Sequence, residues 1–218
     1  MRVPATLRAQ LAAGYGPVRP LASPLTRTLW VVPFAVLTLV AASMTFEFRM
    51  DATRLGWAGT WGISGVQVVI GLALVAVALR EAIPGRGWGR VQTAAWLTVP
   101  VLMVLGVTLS SWELSPVRLR AQWWWVGALC FAGSAVSALP GVALASILAV
   151  RAYPTRPALT GALLGFGSGL MGDAGWRLFC HFSEPGHVLA AHLGGVLASA
   201  LMGAALTTRL SGAGTRRN

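Results

Sequence analysis

Six runs of apolar residues divide the chain, each near the ~20 residues that a helix needs to cross ~30 Å of hydrocarbon. They lie at Leu29 to Phe46, Ala58 to Ile83, Val91 to Trp112, Trp123 to Val150, Ala158 to Cys180 and Val188 to Thr208. The connections between them are short, and none has room for a second folded domain. This pattern predicts an all-α fold, a polytopic membrane bundle of six transmembrane helices. It divides the chain into a basic arm at 1–28, a six-helix transmembrane domain at 29–208 and a short tail at 209–218. Pro140, inside the fourth run, predicts a kink there. Trp57, Trp61, Trp88, Trp112 and Trp123 to Trp125 fall at the ends of runs, as an interfacial aromatic belt requires.

The arm reads differently from the rest. It carries Arg2, Arg8, Arg19 and Arg27 together with four prolines, and it has no apolar run long enough to span a bilayer. Leu7, Leu11 and Tyr15 recur at helical spacing, which predicts one or two amphipathic turns ending near Gly14. No apolar run ending in a small-residue cleavage site precedes Leu29, so the arm is expected to be retained.

Composition agrees with the periodic pattern. The 218 residues are 56% hydrophobic and 11% charged, with a mean hydropathy of +0.68, which is too apolar for a water-soluble domain. The net charge of +11 would suggest nucleic acid in a soluble chain. Here it is tested first against the rule that short loops rich in Arg and Lys face the cytoplasm. Every basic residue is Arg. The side shared by the arm, the second and fourth connections and the tail holds Arg2, Arg8, Arg19, Arg27, Arg80, Arg86, Arg90, Arg151, Arg156, Arg209, Arg216 and Arg217. The opposite side holds Arg49, Arg54, Arg118, Arg120 and Arg177, together with Glu47, Asp51, Glu113 and Glu184. Twelve against five predicts both termini in the cytoplasm, and the charge is read as topology, with no direct nucleic-acid contact.

Chemistry concentrates in Arg177 to His192, RLFCHFSEPGHVLAAH, which contains all three histidines and one of the two cysteines. In the predicted orientation Cys130 lies roughly 10 Å below the outer surface, seven residues after Trp123, and Cys180 ends the fifth run on that same side. Outside is the oxidising side in bacteria, where a disulfide persists. Sequence leaves open whether the two thiols pair, bind a metal or simply pack. In the fifth run Gly161, Gly165 and Gly169 recur every four residues, and the row continues through Asp173, Arg177 and His181. The sixth offers His192, Gly195, Ser199 and Gly203. Small residues at this spacing let backbones approach closely, so these two faces are expected to meet each other or the fourth run.

Asp173 lies within the membrane boundary, where a charge requires a partner, and Arg177 one turn away is the expected one. Arg177 also precedes Cys180 closely enough to favour its thiolate. His181, His187 and His192, with Cys180 and Cys130, could form a thiolate and imidazole site for zinc-like or softer metals, or could serve only to cap helix ends. Their spacing follows no standard metal motif. Phosphate loops, HExxH, GxSxG and paired acids are all absent, so no enzyme activity and no cofactor are expected. A small transporter or channel, with a polar path near Asp173, Arg177 and His192, is the alternative reading.

Two stretches resemble a known family. The arm LRAQLAAGYGPVRPLASPLTRTLW, with PVRPL followed by Pro, Arg and Trp at the mouth of the first helix, is similar to the start of the NrsF-type membrane anti-sigma factors. The segment RPALTGALLGFGSGLMGDAGWRLFCHFSEPGHVLAAHLGGVLASALMGAAL resembles that family's last two helices. The resemblance implies a protein that holds an extracytoplasmic-function sigma factor inactive at the bacterial inner membrane and releases it on stress. It further implies that the sigma factor is bound through Leu7, Leu11, Tyr15, Pro17, Val18, Arg19, Pro20 and Leu21. Cys130 and Cys180 match a pair associated with perception of oxidants or heavy metals, which would make Asp173, Arg177, His181, His187 and His192 its supporting residues.

Overall fold

The computed structural model describes residues 20–45, 47–120 and 123–215, with Thr6, Ala9 and Ala13 in addition. The fold is all-helical, and no strand occurs among the described residues. Six helical passes are visible. The first joins α1 (Pro24–Leu29) to α2 (Val32–Thr45). The second runs from α3 (Ala52–Trp57) through a π-helical turn at Ala58–Gly62 into α4 (Ile63–Glu81). The third to fifth are α5 (Arg90–Leu114), α6 (Trp124–Val150) and α7 (Pro157–Trp176). The last begins with the single turn α8 (Pro185–His187), widens into a π-helical segment at Val188–Leu193 and continues as α9 (Gly194–Thr215).

Five of these passes are long and apolar enough to cross a membrane. The exception is α7, which is diluted by glycines and by Asp173. It is also the most enclosed helix, with every residue from 163 to 175 buried. The two properties have one cause. α7 packs against α9, α4, α6 and α2, so its surface meets protein on all sides and is free of the apolar demand that lipid makes. At the periphery α5 buries only Pro100, Val104, Thr108 and Ser111, a single helical stripe, while Val91, Leu102 and Leu109 stay exposed.

Close backbone approach holds α7 to α9. A Cβ on Gly161 would strike the carbonyl of Gly203, and one on Gly165 would strike that of Ser199. The small-residue faces expected to meet therefore do so, and Gly195 at the top of the second face packs on Phe131 and Ser134 of α6. Polar side chains are enclosed within the apolar core, while large apolar side chains also face outward. Gln67, Ser134, Ser168, Asp173 and His192 are buried, whereas Leu37, Val69 and Leu201 are exposed.

One helix prediction needs correction. α7 stops at Trp176, so Cys180 and His181 lie in the connection beyond it and the row through Asp173 does not reach His181. Pro140 lies inside α6, which is a single helix from Trp124 to Val150.

Polar clusters finish the two ends of the bundle. At one end Arg27, buried at the end of α1, donates to the carbonyls of Leu148 (3.0 Å) and Leu79 (3.0 Å), near the C-termini of α6 and α4. A guanidinium suits these positions because the last carbonyls of a helix lack intrahelical partners. Beside it the buried Glu81 pairs with Arg156 and accepts the backbone N–H of Trp88 at 2.7 Å. The other end carries the connections 47–51, 115–120 and 177–184, where the rare reactive residues gather.

Candidate functional site

The site begins where α7 unwinds. The N–H of Arg177 still reaches the Asp173 carbonyl at 2.9 Å, but that of Leu178 turns back to Gly175 at 3.1 Å and that of Cys180 to Trp176 at 3.3 Å. The chain therefore curls over the helix end and brings Cys180 inward. Arg49 holds it there. Its backbone N–H donates to the Leu178 carbonyl (3.0 Å), and its guanidinium donates to the Arg177 carbonyl (3.3 Å) and the Ser183 hydroxyl (3.2 Å).

The same guanidinium grips Asp51 through both carboxylate oxygens, at 2.6 and 2.9 Å. Ser115 adds a third donor to Asp51 at 2.6 Å. Burial opposes the charge on Asp51, yet the hydrogen bonds from Arg49 and Ser115 prevail and hold its carboxyl below the usual range. A second tie runs from the Leu119 N–H to Glu184 at 3.2 Å. The connection carrying Cys180 is thus fastened to both neighbouring connections.

With this frame in place, the sulfurs of Cys130 on α6 and Cys180 stand 3.6 Å apart as free thiols. Nε2 of His187 is 3.3 Å from the Cys180 sulfur. His192, in the π-helical turn, completes a group in which one ligand atom from each of Cys130, Cys180, His187 and His192 lies within 4.8 Å of the others. All four residues are buried. Phe182 and Ala191 pack with the two cysteines, and Val117, Leu119, Val126 and Trp176 cover them, so the thiols sit in an apolar jacket.

Behind His192 stands Asp173, only 3% exposed. Its carboxylate accepts hydrogen bonds from Ser134 Oγ (2.6 Å), His192 Nδ1 (2.7 Å) and Gln67 Nε2 (2.8 Å). Three donors from α6, the last pass and α4 converge on one buried carboxylate of α7, which is the compensation a buried charge requires. The guanidinium of Arg177, the partner expected for Asp173, gives its carboxylate no hydrogen bond among the described residues, although the Arg177 N–H reaches the Asp173 carbonyl. Gln67 and Ser134 lay on other passes with no motif to mark them, and only the packing around Asp173 identifies them.

Of the candidate sensing residues, Cys130, Cys180, His187 and His192 come together and Asp173 supports them from behind. Arg177 is buried at the end of α7, close enough to interact electrostatically with both Asp173 and Cys180. His181 is turned away from the thiols. It is half-buried, packs on Phe182 with ring centroids 4.2 Å apart, and lines a separate recess with Asp51, Arg54 and Arg118. Burial there lowers its pKa from the ordinary imidazole value.

A cavity of about 490 Å³ reaches the cluster from the surface, lined by Leu119, Trp124, Gly127, Phe131, Glu184 and His187 among others. Chemically, the cluster presents two nucleophilic sulfurs and two imidazoles among apolar side chains, with the cavity reaching it at His187. Thiols this close can be oxidised to a disulfide with little movement, and the four ligand atoms can serve a metal ion.

The arm residues Leu7, Leu11, Tyr15, Pro17, Val18 and Arg19 lie outside the described residues. Pro20 and Leu21 are exposed where the chain enters α1, whose first turn is capped by the Ser23 hydroxyl accepting the Thr26 N–H at 3.1 Å. The chain matches the family described as NrsF, negative regulator of sigma F, over residues 11–211. No curated protein and no solved structure matches it.

Proposed function

This chain belongs to the NrsF family of negative regulators of sigma F, and on that basis we propose that it is an integral-membrane anti-sigma factor of the bacterial inner membrane. It binds an extracytoplasmic-function sigma factor through its cytoplasmic arm, including Leu7, Leu11, Tyr15 and the segment Pro17 to Leu21. It releases that factor when a stress signal, an oxidant or a heavy metal, acts on Cys130 and Cys180 at the outer end. The observation that carries this reading is the match over residues 11–211, nearly the whole chain. The meeting of Cys130 and Cys180 in one buried pocket adds support for the sensing half.

Burial of arginines supports the orientation. Arg27 and Arg49 are enclosed by the fold and donate to carbonyls, Arg49 also to a carboxylate, and Arg177 is buried within electrostatic reach of Asp173, so none of the three is a free loop charge. Setting them aside leaves eleven arginines on the arm side against Arg54, Arg118 and Arg120 on the other, a wider asymmetry than the full set has. A basic arm is also steered toward an acidic partner surface.

Co-purification tests the reading directly. The full-length protein should retain its sigma factor in detergent, and deletion of residues 1–27 should abolish that retention. Binding by the truncated protein would remove the role given to the arm. In cells, the double variant Cys130→Ser, Cys180→Ser should still repress but fail to induce, and normal induction would rule out the thiols as the sensor.

A further inference from the structure

We propose that Cys130, Cys180, His187 and His192 form a tetrahedral binding site for one d10 divalent cation, zinc or cadmium. The proposal deepens the sensing role above, because it assigns that role a ligand, but the site itself is argued from its own geometry.

In a tetrahedral site with metal–sulfur bonds near 2.3 Å and metal–nitrogen bonds near 2.0–2.1 Å, neighbouring ligand atoms lie about 3.3–3.8 Å apart. Cys130 and Cys180 place their sulfurs 3.6 Å apart, and Cys180 and His187 place sulfur and Nε2 3.3 Å apart. The fourth ligand atom, from His192, is within 4.8 Å of all the others. Two sulfurs and two imidazole nitrogens are the donor set of zinc-class ions. No carboxylate belongs to the set, as calcium or magnesium would require.

The surroundings follow the same logic. His192 gives Nδ1 to Asp173, which leaves Nε2 as its ligand atom and fixes the ring by a carboxylate, the usual outer support of a metal-bound histidine. Asp173 is in turn held by Ser134 and Gln67. Nδ1 of His187 is buried without a hydrogen-bond partner among the described residues, beside Gly127, where a lining residue of the cavity has no side chain. The cavity therefore opens onto a ligand residue and supplies the access route.

Charge balances on binding. The divalent cation displaces one proton from each thiol, two protons leave to solvent, and the two thiolates neutralise the ion within the apolar jacket. No oxidant is needed, and the cysteines stay reduced.

The test uses the full-length protein in detergent, reduced and stripped of metal, titrated with Co2+ and then displaced with Zn2+ or Cd2+. One equivalent of Co2+ should give a sulfur-to-metal charge-transfer band with tetrahedral ligand-field bands, and either d10 ion should remove both. Two protons should be released per ion. The double variant Cys130→Ser, Cys180→Ser should lose the charge-transfer band. His187→Ala should keep a thiolate band but change the ligand-field pattern and weaken Zn2+ binding tenfold or more. Asp173→Asn, acting through His192, should weaken it by about 10–100-fold. His181→Ala should bind like wild type. Far-UV circular dichroism of each variant separates lost ligands from lost fold. Absence of the band in wild-type protein whose thiols titrate as free overturns the site, and so does wild-type binding by a folded His187→Ala. None of these readouts involves a sigma factor. A failed titration therefore leaves the anti-sigma reading standing, and failed co-purification leaves the metal site standing.

Discussion

Asp173 and His192 meet through Oδ1 and Nδ1 at 2.7 Å, both almost wholly enclosed, and their bond joins the most buried helix to the last pass. Since Gln67 and Ser134 share the same carboxylate, Asp173→Ala strands three buried polar groups at once. Loss of one partner from a buried charged network costs about 3–5 kcal/mol, and loss of one hydrogen bond to a charged group about 1.5–3 kcal/mol. Asp173→Ala should therefore lower the thermal midpoint in detergent well beyond Gln67→Leu. Equal losses would show that the carboxylate does not organise the group.

Cys130 and Cys180 should cross-link within one molecule when treated with diamide, which takes two electrons and two protons from the pair. A protease site inserted in the connection 151–156 separates the two cysteines in sequence. After cleavage, the oxidised fragments should stay joined on a non-reducing gel and part on a reducing one. Fragments that part without reductant would place the sulfurs further apart than 3.6 Å in solution.

Gly165→Ala should loosen the α7–α9 interface, because the new Cβ meets the Ser199 carbonyl, part of a backbone with nowhere to move. Overpacking of this kind costs about 1–3 kcal/mol. Gly65→Ala, where nothing lies within 4 Å of the added carbon, serves as the control and should not destabilise the protein. The comparison is made by thermal unfolding in one detergent.

The buried pair of Arg49 and Asp51 gives the end of the bundle that carries the thiols a pH dependence of definite sign. The Asp51 carboxyl is held below its ordinary value in the folded protein, so its contribution is present above the unfolded pKa of about 3.9 and fades as pH falls through the lower folded value. Asp51→Asn, which leaves Arg49 buried without its anion, should be less stable than wild type at pH ~7. The difference should narrow on acidification below pH ~4. A constant difference down to pH ~3 would mean that the charge of Asp51 contributes nothing.

The order of helices was legible from apolar run length because lipid imposes one requirement on the passes that face it, and α7, enclosed by protein, is the pass that falls short of it. The contact between the fifth and sixth runs was legible too, since Gly161, Gly165 and Gly169 could answer only a surface as small as Ser199 and Gly203. The partners of Asp173 were not. A buried carboxylate needs donors, but helical spacing offers only those on its own helix, and this pointed to Arg177. The donors that reach it come from other passes, 19, 39 and 106 residues away in sequence. His181 was misplaced for a related reason. Nothing in LFCHF announces that the helix ends at Trp176, and the turn beyond it is set by Arg49, more than a hundred residues earlier. Topology placed both cysteines on one side, but their approach to 3.6 Å depends on that same arginine clamp.

α6 works as a rod with a fitting at each end. Near its start Cys130 lies in the thiol cluster, and near its finish the carbonyl of Leu148 receives the side chain of Arg27, about 27 Å away along the helix axis. Arg27 belongs to α1, the helix that follows the arm, and its other hydrogen bond falls on Leu79 of a separate helix. One side chain therefore gauges the spacing between two helix ends. A shift or tilt of the rod too small to disturb the packing along its length still changes the bite of that gauge, at the point where the arm leaves the bundle.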